Sequence, residues 1–127
     1  MSETPAITYE ILALRYGIFD GRIQAQHYLM PDDHMAPAKL DFLVFTIRGG
    51  GRTIVMDTGF NPASAQRRGR ELIRPVDEAL RMVGVEPSEL PDVVLTHMHW
   101  DHAGGMEYFP KANFHIQEAE MAYCTGP

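Results

Sequence analysis

The sequence has little of what several classes of protein require. Cys124 is the only cysteine, so an intrachain disulfide and a disulfide-stapled secreted scaffold are excluded. No apolar run approaches the length of a bilayer span, and the first ten residues, MSETPAITYE, lack the basic and apolar regions of a signal peptide. Basic residues number 11 against 17 acidic ones, which argues against nucleic acid or an anionic membrane as a partner. We therefore expect a soluble, cytoplasmic protein.

What is present is the composition of one globular domain. A chain of 127 residues with 45% hydrophobic content is long enough to bury a core, and no repeat or linker divides it. Residues 7–16 predict a first strand, and Asp20-Gly21 predicts a turn into a partner strand over 23–29. The beginning of the chain therefore reads as a β-hairpin.

A second hairpin is predicted around a run of three glycines. Residues 42–45 and 54–56 are apolar on both faces, and Gly49-Gly50-Gly51 lies between them. Such strands are typical of a sheet that is buried from both sides. No Lys-Ser/Thr pair follows the glycines, so a plain turn is favoured over a phosphate-binding loop.

Helices and strands then alternate, which indicates mixed α/β layers. Asn61-Pro62 predicts a helix through Arg68, and a second helix begins near Pro75 and ends at Gly84. Strands are predicted over 93–95 and 112–117, with a further helix beginning at residue 118. Four arginines lie around the connection between the first two helices: Arg67, Arg68, Arg70 and Arg74. They fit either an anion site or a solvated surface, and the mixed charge of the chain favours the solvated surface.

Four metal-binding residue types crowd into the stretch THMHWDHAGG. In an extended segment, residues two apart point the same way, so His97 and His99 can share one ion. Asp101 and His102 come at the following turn and point to an adjacent position. Imidazole and carboxylate suit zinc and related divalent metals, and the loop lacks the cysteines of a closed structural zinc site. The spacing favours two adjacent sites in a hydrolytic centre without specifying two ions over one.

These residues resemble a known family. The pattern His97-x-His99-x-Asp101-His102-x-Gly104-Gly105 is similar to the signature of the metallo-β-lactamase superfamily. The similarity extends to residues 42–59, which end in Asp57-Thr58-Gly59. Further features resemble the branch that contains N-acyl-homoserine lactonases, namely Tyr108-Phe109-Pro110-x-Ala112 and His115-x-Gln117-x-x-Glu120.

The resemblance implies a fold and a site. The fold is α/β, a metallo-β-lactamase-like αββα sandwich, and residues 1–127 are the N-terminal part of a single domain, about its first half. Two divalent metal ions, taken as Zn²⁺, are expected: one on His97 and His99, the other on Asp101 and His102. Asp101 is also the expected catalytic residue, handling the proton of the bridging water and of the leaving alkoxide. Asp57 either orients the loop from behind the ligands or simply ends its strand as a turn residue.

The family's site also needs residues from the second half of its domain. Another histidine, a bridging aspartate, a final histidine and a substrate-binding tyrosine have no place after Tyr108-Phe109-Pro110. We therefore expect that the missing C-terminal half or a second chain completes the site, and a homodimer is one arrangement compatible with this. An uncovered sheet would otherwise expose apolar strand faces.

The expected function is a metal-dependent hydrolase that takes a small lactone or ester. The resemblance implies opening of the lactone ring of N-acyl-homoserine lactones, and so quorum-sensing signal degradation, by a hydroxide that bridges the metals. A glyoxalase II-like thioesterase, or another esterase of the same fold, is the alternative. From a different class, the chain is a catalytically incomplete metal-binding fragment or interaction subunit.

Other candidate residues receive structural interpretations. His115 matches no ligand position and is expected to be a packed or hydrogen-bonded strand histidine. Trp100 is expected to pack around the loop, with the site entrance as the alternative. His27 and His34 flank a loop and are assigned no role.

Overall fold

The computed structural model describes residues 4–126 and contains one six-stranded sheet, in the order β4-β1-β2-β3-β5-β6. The strands are β1 (Glu10–Ile23), β2 (Pro37–Gly49), β3 (Arg52–Met56), β4 (Glu71–Leu72), β5 (Asp92–Val94) and β6 (Asn113–His115). The helices are α1 (Pro62–Arg68), α2 (Val76–Met82), α3 (Trp100–Ala103) and α4 (Glu118–Thr125). Pairing is antiparallel from β4 to β3 and parallel from β3 to β6. This is the mixed α/β architecture that the sequence predicts.

The prediction of a hairpin at Asp20-Gly21 is wrong. β1 continues through these residues and pairs with β2 from Glu10↔Arg48 to Ile23↔Pro37. Its register shifts between Phe19 and Arg22, so the Asp-Gly pair is absorbed in a bulge. The predicted second strand is absent from the described residues, since a short 3₁₀ turn follows β1 directly. Pairing with a long partner strand outweighs the local turn signal.

The glycine hairpin is confirmed, but its burial is one-sided. Gly50 and Gly51 both have positive φ, 57° and 73°, as a two-residue turn between β2 and β3 requires. Val44 is fully buried, whereas its neighbour Leu43 is only half-buried on the opposite face. The expectation of burial from both sides is therefore wrong for the part of the chain described, because its packed core lies against one face of the hairpin.

The predicted helices form where their capping residues place them. The Asn61 side chain accepts a hydrogen bond from the Ser64 N–H at 2.9 Å, and Gly69 ends α1 with φ 62°. α2 follows Pro75 and buries Val76, Ala79 and Leu80, while Gly84 has φ 76° just beyond its end. The final predicted helix is α4.

The buried core joins the sheet to α1 and α2. It includes an aromatic group in which Phe60 lies 5.0 Å, centroid to centroid, from both Tyr16 and Phe42. Aliphatic side chains of α2 and β5 complete it, among them Leu80 and Val93. Across residues 4–126, no helix combines the length and apolar character needed to cross a membrane. The core anchors β3 and β5, whose ends carry the metal-binding motif.

One-sided burial predicts unequal effects of truncating neighbouring side chains. Val44→Ala should lower the free energy of unfolding by about 2–3 kcal/mol, because it opens a cavity in packed core. Leu43→Ala removes more atoms but from a half-exposed position, so we expect a smaller loss. Urea unfolding of the 127-residue chain, followed by circular dichroism, compares the two. An equal or larger loss for Leu43→Ala would contradict the burial described.

Candidate metal centre

The motif lies where two parallel strands end side by side. Met56 at the end of β3 pairs with Val94 at the end of β5. The backbone N–H of Asp57 donates to the carbonyl of Val94 at 2.8 Å, so the contact continues past both strands. Parallel strands bring their carboxyl ends to the same edge of a sheet. The loops after β3 and β5 are therefore held together at this edge.

Asp57 connects these two loops through its side chain. Its Oδ1 accepts hydrogen bonds from the backbone N–H and hydroxyl of Thr96, at 2.8 and 2.9 Å. Its Oδ2 lies 2.7 Å from Nδ1 of His102. Asp57 is 3% exposed and has φ 65°, a conformation that aspartate tolerates better than most residues. Asp57 directly follows β3, and its carboxylate contacts the ring of a predicted ligand, which is the contact that the orienting role needs.

The pKa values of this pair are shifted in opposite directions. Burial by itself would raise the pKa of Asp57, but hydrogen bonds from His102 and Thr96 outweigh it and hold the pKa below its usual value. The hydrogen bond to Asp57 raises the pKa of His102, against the opposing effect of burial. Asp57 is thus a carboxylate, and we assign the Nδ1 proton of His102 to this bond. Nε2 of His102 then remains to act as a ligand.

Thr58 fixes the backbone of the motif. Its N–H and its hydroxyl both donate to the carbonyl of His102, at 2.7 and 2.8 Å. Its hydroxyl oxygen accepts from the N–H of Gly105 at 3.1 Å. A Cβ at Gly105 would overlap the carbonyl oxygen of Thr58, so only glycine permits this approach. The Asp-Thr-Gly and His-x-x-Gly-Gly segments are parts of one structure.

The four predicted ligands form two pairs. In the first, Nε2 of His97 lies 3.1 Å from Nδ1 of His99. In the second, Nε2 of His102 lies 3.6 Å from Oδ2 of Asp101. The rings of His97 and His102 have centroids 3.9 Å apart, which makes the pairs adjacent. Within residues 4–126, no group of three His, Cys, Asp or Glu side chains is arranged to hold a metal ion.

Each pair has a spacing that suits metal ligands. Two ligands on one tetrahedral zinc ion, with bonds of about 2.0–2.1 Å, lie about 3.3 Å apart. The separations of 3.1 and 3.6 Å bracket this value. The Thr96 hydroxyl lies 3.0 Å from Nδ1 of His97, so that ring also has a polar group behind it. Imidazole and carboxylate donors therefore fit two divalent ions, with two ligands for each among the described residues.

Two supporting contacts are not apparent from the sequence. The Tyr16 hydroxyl donates to the backbone carbonyl of Asp101 at 3.1 Å, across 85 positions of sequence. Burial, with the charges of Asp101 and Asp57, raises the pKa of Tyr16 well above its usual value, so the phenol remains a donor. Oε1 of Glu120 accepts the Met98 N–H at 3.0 Å. Thr96 directly precedes the first motif histidine, and Glu120 belongs to the lactonase-like pattern, whereas nothing in the sequence pointed to Tyr16.

The remaining candidates lie as follows. Nε2 of His115 is 2.8 Å from Oδ1 of Asp92, which fits the expected hydrogen-bonded strand histidine. The Trp100 ring packs 4.7 Å from Phe60, as expected for a residue packed around the loop. His34 is exposed. His27, which was assigned no role, lines a cavity beside the motif.

The sequence matches proteins of known family. The profile of the Metallo-beta-lactamase superfamily matches residues 43–123, well over half of the chain. The N-acyl homoserine lactonase AiiB of Agrobacterium fabrum is 36% identical over 92 residues, which are 58% of this chain and 33% of that protein. The AiiB of Rhizobium rhizogenes is 33% identical over 100 residues, or 65% of this chain and 36% of its own length. The chain thus spans about a third of these relatives.

A solved structure of similar fold is also longer than this chain. The dizinc quorum-quenching lactonase AidC, solved with the product N-hexanoyl-L-homoserine, superposes with a TM-score of 0.64 at 19% identity. The alignment covers 99% of this chain and 47% of AidC. The fold is therefore that of about half of such a structure. Together with the profile match, this shows that the chain belongs to the metallo-β-lactamase superfamily and corresponds to the N-terminal half of its domain.

Proposed function

We propose that this chain carries half of the active site of a metal-dependent hydrolase that opens lactone rings, those of N-acyl homoserine lactones in particular. The observation that carries the proposal is that two pairs of predicted ligands lie next to each other. Asp57 contacts one of these pairs and Thr96 the other. The relatives named as N-acyl homoserine lactonases supply the substrate class. Their identity of 33–36% supports a shared type of reaction more than a shared acyl chain.

We assign one ion to His97 and His99 and the other to Asp101 and His102. Zn²⁺ suits these donors, and AidC is named as a dizinc enzyme. Divalent ions at such a site polarise a carbonyl and make a bound water acidic near neutral pH. The protein's own contribution is to fix the donors in place before substrate arrives.

Asp101 is the residue we assign to proton transfer. Its carboxylate is partly exposed and lies at the second ligand pair, where an attacking water and a leaving oxygen would both be near. It can accept the proton of the water as the ring carbonyl is attacked. It can then return that proton to the alkoxide released when the ring C–O bond breaks. The Tyr16 hydrogen bond holds the backbone of Asp101 and so restricts where its carboxylate can move.

The rest of the coordination sphere must come from elsewhere, since each pair supplies two ligands. We propose that the C-terminal half of such a domain, on the same polypeptide or a second chain, provides it. The half-buried face of β2 and β3 is the surface available for docking that half. A second copy of this chain is the alternative occupant, and a measured 1:1 homodimer with full activity would support it.

Asp57→Asn tests the role of Asp57 in metal binding. Asparagine keeps the shape and tolerates the positive φ, but it loses the charge that holds His102. Metal affinity should fall about 10–100-fold, as is usual when such a partner is lost. Asp92→Asn is the matched control, because it breaks a carboxylate–histidine contact outside the metal motif, the one with His115. Co²⁺ titrations followed by absorbance compare the variants. Equal affinities would contradict the assigned role.

Hydrolysis tests the proposed reaction. The chain alone should be inactive, whereas a fusion to the C-terminal part of Agrobacterium fabrum AiiB should open N-hexanoyl-homoserine lactone. Ring opening releases a proton, which a pH indicator detects. His97→Ala should abolish the activity through loss of a ligand, while His34→Ala, at an exposed position, should retain it.

Three outcomes would replace the proposal. Hydrolysis of a thioester without lactone opening would indicate a glyoxalase II-like thioesterase. A folded fusion that binds two ions but hydrolyses no lactone, ester or thioester would contradict hydrolase function. Less than one bound metal per chain, with no activity in any form, would indicate an incomplete metal-binding fragment or interaction subunit.

A further inference from the structure

A cavity lies directly beside the two ligand pairs. Its lining includes two residues of the metal motif, His99 and Asp101, together with Trp100. The lining also contains two basic residues, Arg22 from the end of β1 and Arg70 from beyond α1. The chain thus places two guanidinium groups next to the position at which the proposed reaction takes place.

Neither guanidinium is neutralised by a nearby carboxylate. Among the ion pairs that residues 4–126 form, none includes Arg22 or Arg70. Asp101 is the one acidic residue in the lining, and the proposed function assigns its charge to a metal ion. The cavity therefore keeps a positive charge in a protein whose formal net charge is −6.

Arg70 is held in position rather than extended into solvent. Its guanidinium stacks 3.6 Å from the centroid of Phe19, and Nη1 donates to the carbonyl of Arg68 at 2.8 Å. Its Nε is buried and has no hydrogen-bond partner in the described part of the chain. The same holds for Nε2 of His27, which lines the same cavity. Buried polar atoms without partners are costly, and both of these atoms belong to residues that line the cavity.

We propose that this cavity binds a carboxylate carried by the substrate, next to the position at which the lactone bond is hydrolysed. The planar guanidinium groups match a carboxylate in shape and charge, and Arg70 is already oriented. The inference rests on the proposed lactone hydrolysis and extends its substrate range, because the cavity would admit lactones with an acidic substituent beside the uncharged N-acyl homoserine lactones. The sequence favoured a solvated surface for the four arginines; Arg67 and Arg68 are exposed, whereas Arg70 is half-buried.

Trp100 makes binding measurable without any reaction. It is the only tryptophan and it lines the cavity, so its fluorescence reports on this site. The probes are 5-oxotetrahydrofuran-2-carboxylate and its uncharged methyl ester. Each is titrated into the 127-residue chain after metal and chelator have been removed, so that the ligand pairs hold no ion that attracts the carboxylate.

The carboxylate should give a saturable change in fluorescence that the ester does not give at the same concentrations. Arg70→Gln and Arg22→Gln should each weaken binding by roughly tenfold or more, the usual effect of losing a charged hydrogen bond. Arg67→Gln is the control, because Arg67 is exposed and bonds to Ser64 outside the cavity. Circular dichroism checks that each variant is folded, and the two variants test the site independently.

Two results would overturn the inference: equal binding of the ester and the carboxylate, or unchanged binding in both arginine variants. In the fusion that opens lactones, the ratio of kcat/KM for the acid to kcat/KM for the ester should fall about tenfold in Arg22→Gln. An unchanged ratio also contradicts the inference. Carboxylate binding without any hydrolysis would contradict the proposed function while supporting the anion site, so the two failures are distinguishable.

Discussion

The carboxylate of Asp57 is the contact on which the rest of the site depends. It accepts from Thr96 after β5 and from His102 within the motif, and its own backbone bonds to Val94. A buried carboxylate without partners would be strongly destabilising, so these bonds offset both its desolvation and its positive φ. The same contacts fix the strand end, the loop and the ring of one predicted ligand. Geometry at the metal edge is thus a consequence of satisfying one buried charge.

Satisfying that charge also determines the chemistry available to the motif. Because Nδ1 of His102 faces Asp57, Nε2 is presented beside Asp101, and the Thr96 hydroxyl has the same relation to His97. Because residue 105 is glycine, Thr58 can approach the turn closely and accept the hydrogen bond of the Gly105 N–H. Loops on such clamps keep their donors in place at little entropic cost on binding. The cavity lined by Trp100, Arg22 and Arg70 then adds a feature that the motif alone does not specify.

Local signals predicted those parts of the structure that local contacts stabilise. The caps of α1 and the glycine turn between β2 and β3 formed as expected, because each needs only neighbours in sequence. The prediction failed at Asp20-Gly21, where pairing with a distant strand decides the outcome. The metal ligands stay a prediction from the sequence, which the distances within the two pairs fit. The contact of Tyr16 with Asp101 was not predicted, and Arg70 was interpreted as solvated surface, because contacts between positions far apart leave no local signal.

Under the proposed function, the incomplete set of metal ligands on this chain couples metal binding to docking of the second half. If each ion takes two ligands from this chain and the rest from the second half, metal binding and docking of that half stabilise each other. Neither is strong alone: two ligands bind an ion weakly, and the half-buried face around Leu43 offers no metal contact. The free energies of metal binding and of docking are then coupled, because an ion held by ligands from both halves is released when the halves separate. Assembly of the fold and of the catalytic centre would then be a single event.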